Sequence, residues 1–363
     1  MKSTICLCMM VKNEAHVIAN ALRSVKPFID HWVIVDTGST DNTKEIIAKE
    51  LDGIPGELLD IQFKNYGYNR TEVFRAAYDK ADYMLVLDAD DIFHMNKPLP
   101  QLTADCYEVD LSLGVGGLCV YRQLRLFSTR LKWEYRGAVH EVPFAPGAWK
   151  AKYINNILIE SFGTGATSQD PEKYLNHARM IKEDIDTNPD CDIPRSTFYL
   201  AQSLFCAGKN KEAIPYYRTR TQMTGGTNPS EIYYSYYQLG NIAYSLKAVD
   251  HAVANFLYAH NADPRRAEPL YKLCLIYRSE DKFNLGYLFG SMALKCKPDN
   301  SFMFCEPHLY GVVLWDEMAL CAFYTGRKKL AATFNRKIMG VPNLDPAYRK
   351  RIEENLSWSI KQT

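Results

Sequence analysis

The segment Met84-Leu-Val-Leu-Asp88-Ala-Asp90-Asp91-Ile92 is an apolar run that ends abruptly in three carboxylates. Its continuous apolar character predicts an interior strand of a parallel sheet, covered on both faces. The carboxylates then fall at the strand's carboxyl end, the edge at which open α/β sheets place their ligand crevices. Hard oxygen donors there suit Mg2+ or Mn2+ bridging a diphosphate. The same residues also fit a strand followed by a polar turn in which Asp91 caps a helix, because Asp-x-Asp alone is a common pattern.

Two further strand ends carry chemistry. Ile5-Cys-Leu-Cys-Met-Met-Val11 is a short apolar strand that runs into Lys12-Asn13-Glu14. Val17, Ile18, Ala21, Leu22 and Val25 follow at helical spacing, which makes a strand-turn-helix unit. His31-Trp-Val-Ile-Val35 predicts a third strand, ending in Asp36-Thr-Gly-Ser-Thr-Asp41-Asn-Thr43, with a helix from Lys44. Gly38 permits a tight turn, and Ser39, Thr40 and Asp41 are placed to cap that helix and to hydrogen-bond a nucleotide.

Val11-Lys-Asn-Glu14, Val33-Ile-Val-Asp-Thr-Gly-Ser-Thr-Asp41-Asn-Thr43 and Leu87-Asp-Ala-Asp-Asp91 resemble the motifs of family-2 glycosyltransferases of the GT-A fold, in that family's order. Arg125-Leu-Phe127 and Trp133-Glu-Tyr-Arg-Gly137-Ala-Val-His-Glu141 are similar to its late signature, so the resemblance covers residues 3–165. It implies a Rossmann-like nucleotide-sugar-binding domain. Asp36 would accept from the base, with Val11, Asn13 and Glu14 lining the base and ribose pocket, and Gly38, Ser39, Asp41 and Ala89 beside the donor. Asp88 would contact the ribose or a metal-bound water, Asp90 the metal, and His140 would be a third ligand. Imidazole suits Mn2+ better than Mg2+. The alternative for His140 is a structural histidine.

The chain also departs from the family pattern. Tyr68-Asn-Arg-Thr-Glu72 stands near the place where relatives carry Ala-Arg-Asn, so Arg70 is a phosphate-contact candidate or a solvated arginine. Ser161-Phe-Gly-Thr-Gly165 replaces the relatives' His-Gly pair. Transfer with the inversion implied by the family requires charge neutralisation of the leaving diphosphate and a general base for the acceptor. Glu141 is the favoured base and Asp91 the second motif candidate, with Asp105, Glu108 and Asp110 in the following segment. The alternative for Glu141 is a surface glutamate that pairs with Arg136 or faces water.

The second half is of a different kind. Leu239, Gly240, Ala252, Phe256, Ala259 and Pro264 align with Leu273, Cys274, Gly286, Gly290, Ala293 and Pro298 at a constant offset, the tetratricopeptide period. An earlier unit, through Leu200, Ala201, Leu204 and Ala213, fits with extra length in Thr224-Gly-Gly-Thr-Asn228, and a degenerate fourth runs from Trp315 through Ala331. A helix from Tyr174 to Ile185 precedes the array. The expected domains are therefore residues 1–165 and an all-α tetratricopeptide-like solenoid over 166–363, with the boundary in the Gly/Thr/Ser stretch at 163–169. Tyr216, Tyr217, Tyr233, Tyr234, Tyr236, Tyr237 and Tyr244 fit core aromatics, an acceptor groove, or a dimer interface.

Length and composition place few other limits. A chain of 363 residues with 47% apolar and 23% charged residues is an ordinary globular protein with room for two domains. It has no apolar run long enough to span a membrane, and its apolar start leads into Lys-Asn-Glu rather than a cleavage site. Ten cysteines without a Cys-x-x-Cys pair, Cys6, Cys8 and Cys274 among them at core-like positions, suggest buried thiols in a reducing cytoplasm. With a formal net charge of +1, nucleic acid is a disfavoured partner.

The function expected is a metal-dependent glycosyl transfer from a nucleotide sugar, UDP-linked, to a glycan, protein or small-molecule acceptor. One alternative is a repeat module that recruits a partner beside a vestigial transferase domain. The other, a sugar-nucleotide nucleotidyltransferase, lacks its Gly-rich basic loop at Val11-Lys-Asn-Glu-Ala15.

Overall fold

The computed structural model describes residues 3–113, 119–225, 228–299 and 303–361. It falls into two compact units, Met1–Gly208 and Lys209–Thr363.

The first unit begins with β1 (Ile5–Val11), α1 (Ile18–Val25), β2 (His31–Asp36), α2 (Thr43–Glu50), β3 (Gly56–Asp60), α3 (Tyr66–Ala77) and β4 (Tyr83–Val86). It continues through β5 (Asp91–Met95), β6 (Cys106–Leu113), β7 (Cys119–Ser128), β8 (Glu134–Arg136), β9 (Val142–Phe144) and β10 (Ala151–Ser161). Three helices complete it: α4 (Ala166–Gln169), α5 (Lys173–Thr187) and α6 (Ile193–Cys206). Eight strands form one sheet in the order β3-β2-β1-β4-β7-β6-β10-β5, while β8 and β9 pair separately.

The three strands expected at Ile5, His31 and Met84 are all present, but the sheet is mixed rather than parallel. β4 runs parallel to β1 and antiparallel to β7. The reason is connectivity: β6 and β7 are consecutive and antiparallel, so the second of them meets β4 from the opposite direction. Asp91 also departs from the helix-cap alternative, since it opens β5.

Strand alternation builds two cores from one strand. Ile5, Leu7, Met9 and Val11 of β1 pack with Ile18, Ala21, Leu22 and Val25 of α1, whose i, i+3, i+4, i+7 spacing makes a single apolar stripe. Cys6 and Cys8 point to the other face, against Val73, Phe74 and Ala77 of α3. Both faces are therefore sealed. The polar groups collect at the strand ends.

The first compact unit includes α5 and α6, beyond the sequence-expected boundary at 165, and these helices meet α3 and the loop before β9. Tyr66 meets the ring of His177 on α5 at 5.7 Å, and His140 stacks on Tyr199 of α6 at 4.1 Å.

The second unit contains α7 (Asn210–Gln222), α8 (Ser230–Ser245), α9 (Val249–Ala262), α10 (Glu268–Ser279), α11 (Phe283–Ala293), α12 (Val312–Tyr324), α13 (Lys328–Met339) and α14 (Pro346–Lys361). α8 with α9, α10 with α11 and α12 with α13 are helical hairpins, the first two being the pair aligned by the repeat. The small residues of the repeat are there for close approach. A Cβ on Gly240 would stand 2.6 Å from the Phe256 ring, and one on Gly290 would stand 2.2 Å from Met318 Sδ. Tyr217, Tyr233 and Tyr237 are buried, whereas Tyr216, Tyr234, Tyr236 and Tyr244 are half-buried. Residues 226–227 of the extra length assigned to the first repeat lie outside the described residues.

The architecture is thus a GT-A-like α/β unit followed by a tetratricopeptide-like helical region. Cys6, Cys8 and Cys274 are buried free thiols. No described helix is long and apolar enough to cross a membrane.

Candidate active site

A crevice of about 750 Å³ opens at the carboxyl edge of β1 and β4. The end of β1 contributes Val11, Lys12, Asn13 and Glu14, and the end of β4 contributes Asp88, Ala89 and Asp90. Thr37 enters from β2 and Arg70 from α3. Seven sequence-predicted residues are therefore gathered: Val11, Asn13, Glu14, Arg70, Asp88, Ala89 and Asp90.

Asp88 is the hub of the crevice floor. Arg70 Nη2 donates to its Oδ1 at 2.6 Å, and Arg125 Nη1 donates to its Oδ2 at 3.1 Å. Burial by itself raises the Asp88 carboxyl, but the two guanidinium groups outweigh it and hold the group below the usual carboxylate range. Arg70 Nε also donates to Glu141 Oε1 at 2.6 Å. This is not a solvated arginine. Its position depends on Gly67, one helical turn earlier, where a Cβ would stand 2.3 Å from the carbonyl oxygen of Gly137. That close approach brings the Trp133–Glu141 segment against α3. Trp133 itself is core, donating from Nε1 to the Ser128 carbonyl at 3.0 Å.

Asp90 and Glu14 face a different partner. The backbone N–H groups of Thr164 and Gly165 donate to Asp90 Oδ2 at 2.8 and 2.9 Å, and Ala166 N–H donates to the Glu14 carboxylate at 3.1 Å. The end of the Ser161–Gly165 segment that departs from the family pattern, with the following Ala166, is thus a strap whose amides hold two carboxylates. The approach at Gly165 is close: a Cβ there would stand 3.3 Å from both side chains. Burial raises the Glu14 carboxyl despite the Ala166 bond. Asp90 Oδ1 has no hydrogen-bond partner among the described residues.

The loop after β2 is organised from within. Asp36 Oδ1 accepts from the N–H groups of Gly38 and Ser39 at 2.9 and 2.7 Å, with Gly38 at φ +104°. Ser39 Oγ accepts from Asn13 N–H at 2.9 Å, and Asn13 Oδ1 accepts from Thr40 N–H at 2.8 Å. Asp41 accepts from Ala15 N–H at 3.1 Å and pairs with Thr43. Burial raises the Asp41 carboxyl, but these bonds win and lower it. Asp36 is fully buried with Oδ2 unpaired, and Thr37, not Asp36, lines the crevice. Gly38, Ser39 and Asp41 are scaffold to Asn13 in this geometry.

The base candidates lie off the crevice lining. Asp91 is fully buried, its Oδ2 accepting from Asp88 N–H at 3.2 Å, and burial together with Asp88 pushes its carboxyl up to about 6. Glu141 is tied to Arg70. His140 has φ +55°, its carbonyl accepts from Arg195 Nη2 at 2.9 Å, and burial followed by His177 and Arg195 lowers its ring to about 4.

These positions bear on a metal. Among the described residues no group of three or more His, Cys, Asp or Glu side chains is arranged to hold an ion, so Asp88, Asp90 and His140 are not brought together as one ligand set. Asp88 gives both oxygens to arginines, and the His140 ring lies against Tyr199. Asp90 lines the crevice with Oδ2 held by the strap amides, an arrangement that fits a cation bound through a single carboxylate, substrate phosphates and water.

Two groups of site residues were missed in the sequence. Arg125 was read only as part of a motif, although a basic residue close to Phe127 of the strand facing β4 is the natural counter-charge for Asp88. Lys173, Asn176, His177 and Met180 of α5 also line the crevice. Their i, i+3, i+4, i+7 spacing was the available signal.

Residues 6–123 match the family model described as Glycosyl transferase family 2. The SPbeta prophage-derived glycosyltransferase SunS of Bacillus subtilis (strain 168) is 23% identical over 225 residues, 59% of this chain and 52% of that protein. A TPR repeat-containing protein of Synechococcus elongatus is 30% identical over 144 residues, 38% of this chain and 34% of that one. The chain spans about half the length, or less, of these curated relatives. Among solved structures, that of S. aureus TarS 1-349 covers 72% of this chain and 92% of its own, with 12% identity and a TM-score of 0.39. The motifs at Asn13, Asp36 and Asp88 fall inside this matched stretch, residues 6–123 of the 363, which is similar to a glycosyl transferase family 2 domain.

Proposed function

We propose that the protein is a glycosyltransferase that moves a sugar from a nucleotide-sugar donor, UDP-linked, to an acceptor hydroxyl with inversion at the anomeric carbon. The observation that carries this reading is the crevice at the ends of β1 and β4. There Asn13, Glu14, Asp88 and Asp90 converge inside a family 2 domain. Asn13 and Thr37 bind the nucleoside end, with Asp36 fixing the loop that positions them. Asp90 lines the crevice and would hold Mn2+ or Mg2+; when bound, such a cation would supply Lewis-acid neutralisation of the diphosphate's charge. Arg70 and Arg125 keep Asp88 ionised and immobile, so the crevice floor needs no reorganisation when substrate arrives. Glu141 Oε2, which Arg70 does not take, serves as the base toward the acceptor.

A panel of UDP-, GDP- and dTDP-sugars tests the proposal. Release of nucleoside diphosphate from one of them in Mn2+, and its loss in EDTA, is the expected result. Equal release in both buffers removes the metal from the proposal, and no release from any donor, with or without acceptor extracts, removes the activity.

A further inference from the structure

α5 presents Lys173, Asn176, His177 and Met180 to the crevice, although it lies outside the matched family stretch and outside every motif of the sequence. His177 is the unusual member. It is 6% exposed, and neither ring nitrogen has a hydrogen-bond partner. Buried polar atoms are ordinarily paired, and this imidazole, which belongs to the crevice lining, leaves both nitrogens unpaired and shut off from solvent, so it lacks a partner that a ligand could supply.

The ring's surroundings narrow what that something is. Tyr66, His140 and Tyr174 make edge contacts with it at 5.7, 6.1 and 6.2 Å, which fixes its orientation. Burial, with Lys173 as the second cause, lowers its pKa to about 4. At neutral pH the ring is uncharged, with one nitrogen donating and the other accepting. A phosphate offers only acceptors and would leave the accepting nitrogen unmatched. A hydroxyl satisfies either nitrogen, and the neighbouring tyrosine rings suit the apolar face of a pyranose.

We propose that His177 is a donor-binding residue that hydrogen-bonds a hydroxyl of the transferred sugar, which makes α5 the wall of the site that selects the sugar. This rests on the glycosyltransferase reading above. The nucleoside end is assigned to the loops after β1 and β2, and the sugar is the part of the donor that brings hydroxyls to a different element. Removing one hydrogen-bonding partner of a substrate hydroxyl in a closed pocket weakens recognition of that substrate about tenfold or more.

The test compares the full-length protein with His177→Phe, which keeps the aromatic contacts, and His177→Gln, which keeps a donor and an acceptor. Calorimetry in Mn2+ buffer gives the affinity for UDP and for the nucleotide sugar that the panel identifies, and hydrolysis gives KM and kcat. His177→Phe is expected to bind UDP as the parent does and to bind the nucleotide sugar about tenfold more weakly, with KM raised in step and kcat little changed. His177→Gln should recover part of the loss.

An unchanged KM in His177→Phe overturns the inference and leaves the enzyme reading intact. Equal losses for UDP and nucleotide sugar also overturn it, because the contact then belongs to the nucleotide. If neither UDP nor any nucleotide sugar binds the parent protein, the glycosyltransferase reading itself fails. Ring-nitrogen NMR of the unmutated protein guards against a misfolded variant: His177 should shift on addition of nucleotide sugar and stay in place with UDP, and the absence of that difference sinks the inference.

Discussion

The helical repeats and the sheet-edge crevice both bury charge, but they treat it differently. In the repeats, Arg220 and Glu231 are fully buried and paired at 3.1 Å, and Arg266 pairs with Glu268 at 2.8 Å. Tyr310 Oη donates to the same Glu268 at 2.8 Å, and Arg266 Nη1 donates to the Met303 carbonyl at 2.8 Å. In the crevice unit, Asp36 Oδ2, Asp91 Oδ1 and both nitrogens of His177 have no partner. Closed ion pairs fix the geometry of helices. Of these groups His177 lines the crevice, whereas Asp36 and Asp91 lie buried behind it, where neighbouring arginines and backbone amides hold the rest of the network.

That contrast can be broken most forcefully in the repeats. Arg220→Ala removes the guanidinium that faces the buried Glu231 and should cost about 3–5 kcal/mol. Replacing both residues with Met and Leu should recover most of it. Urea denaturation measures both, and a single variant as stable as the parent would mean that the pair is not sealed.

Asp90→Ala is the corresponding change in the crevice, with the opposite outcome. Turnover should fall by about 1,000-fold, ~4 kcal/mol in the barrier, while the thermal unfolding midpoint hardly moves. A large drop in that midpoint would place Asp90 among the structural charges.

Asp36→Ala is expected to be intermediate. It releases the Gly38 and Ser39 amides that support Asn13, so affinity for nucleoside diphosphate should weaken by about 1–3 kcal/mol. Calorimetry that finds no change would assign the nucleoside end to another loop.

The smallest effect concerns pH. Burial lowers His140 and His177 to about 4 in the folded protein, against about 6.5 in an unfolded chain. A depressed pKa in a base means that the fold prefers the uncharged ring. The contribution is complete above pH 6.5 and is lost as pH falls from about 6.5 toward 4, on the order of 2 kcal/mol for each ring. His177→Phe should flatten that slope by its own share. A variant with the full acid sensitivity of the parent would show that the His177 ring is not held uncharged.

The sequence by itself determined the strands ending at Val11, Asp36 and Val86, the carboxylates at their ends, and the repeating small residues of the helical half. These are set by local periodicity, and a buried strand or a close helix crossing leaves its mark on neighbouring positions. Tertiary structure decided the rest. Arg70 and Arg125 are far from Asp88 in sequence, and only the Gly67–Gly137 contact and the β4–β7 pairing bring them to it. The strap at Thr164–Ala166 and the face of α5 reach the site from the far end of the same unit. Nothing in their local spacing states which cavity they meet. His140 shows the same limit from the other side: its motif marks it as special, but its ring lies against Tyr199 because α6 packs there. A motif names residues through short-range order, whereas their partners are chosen by long-range packing, which a linear pattern does not encode.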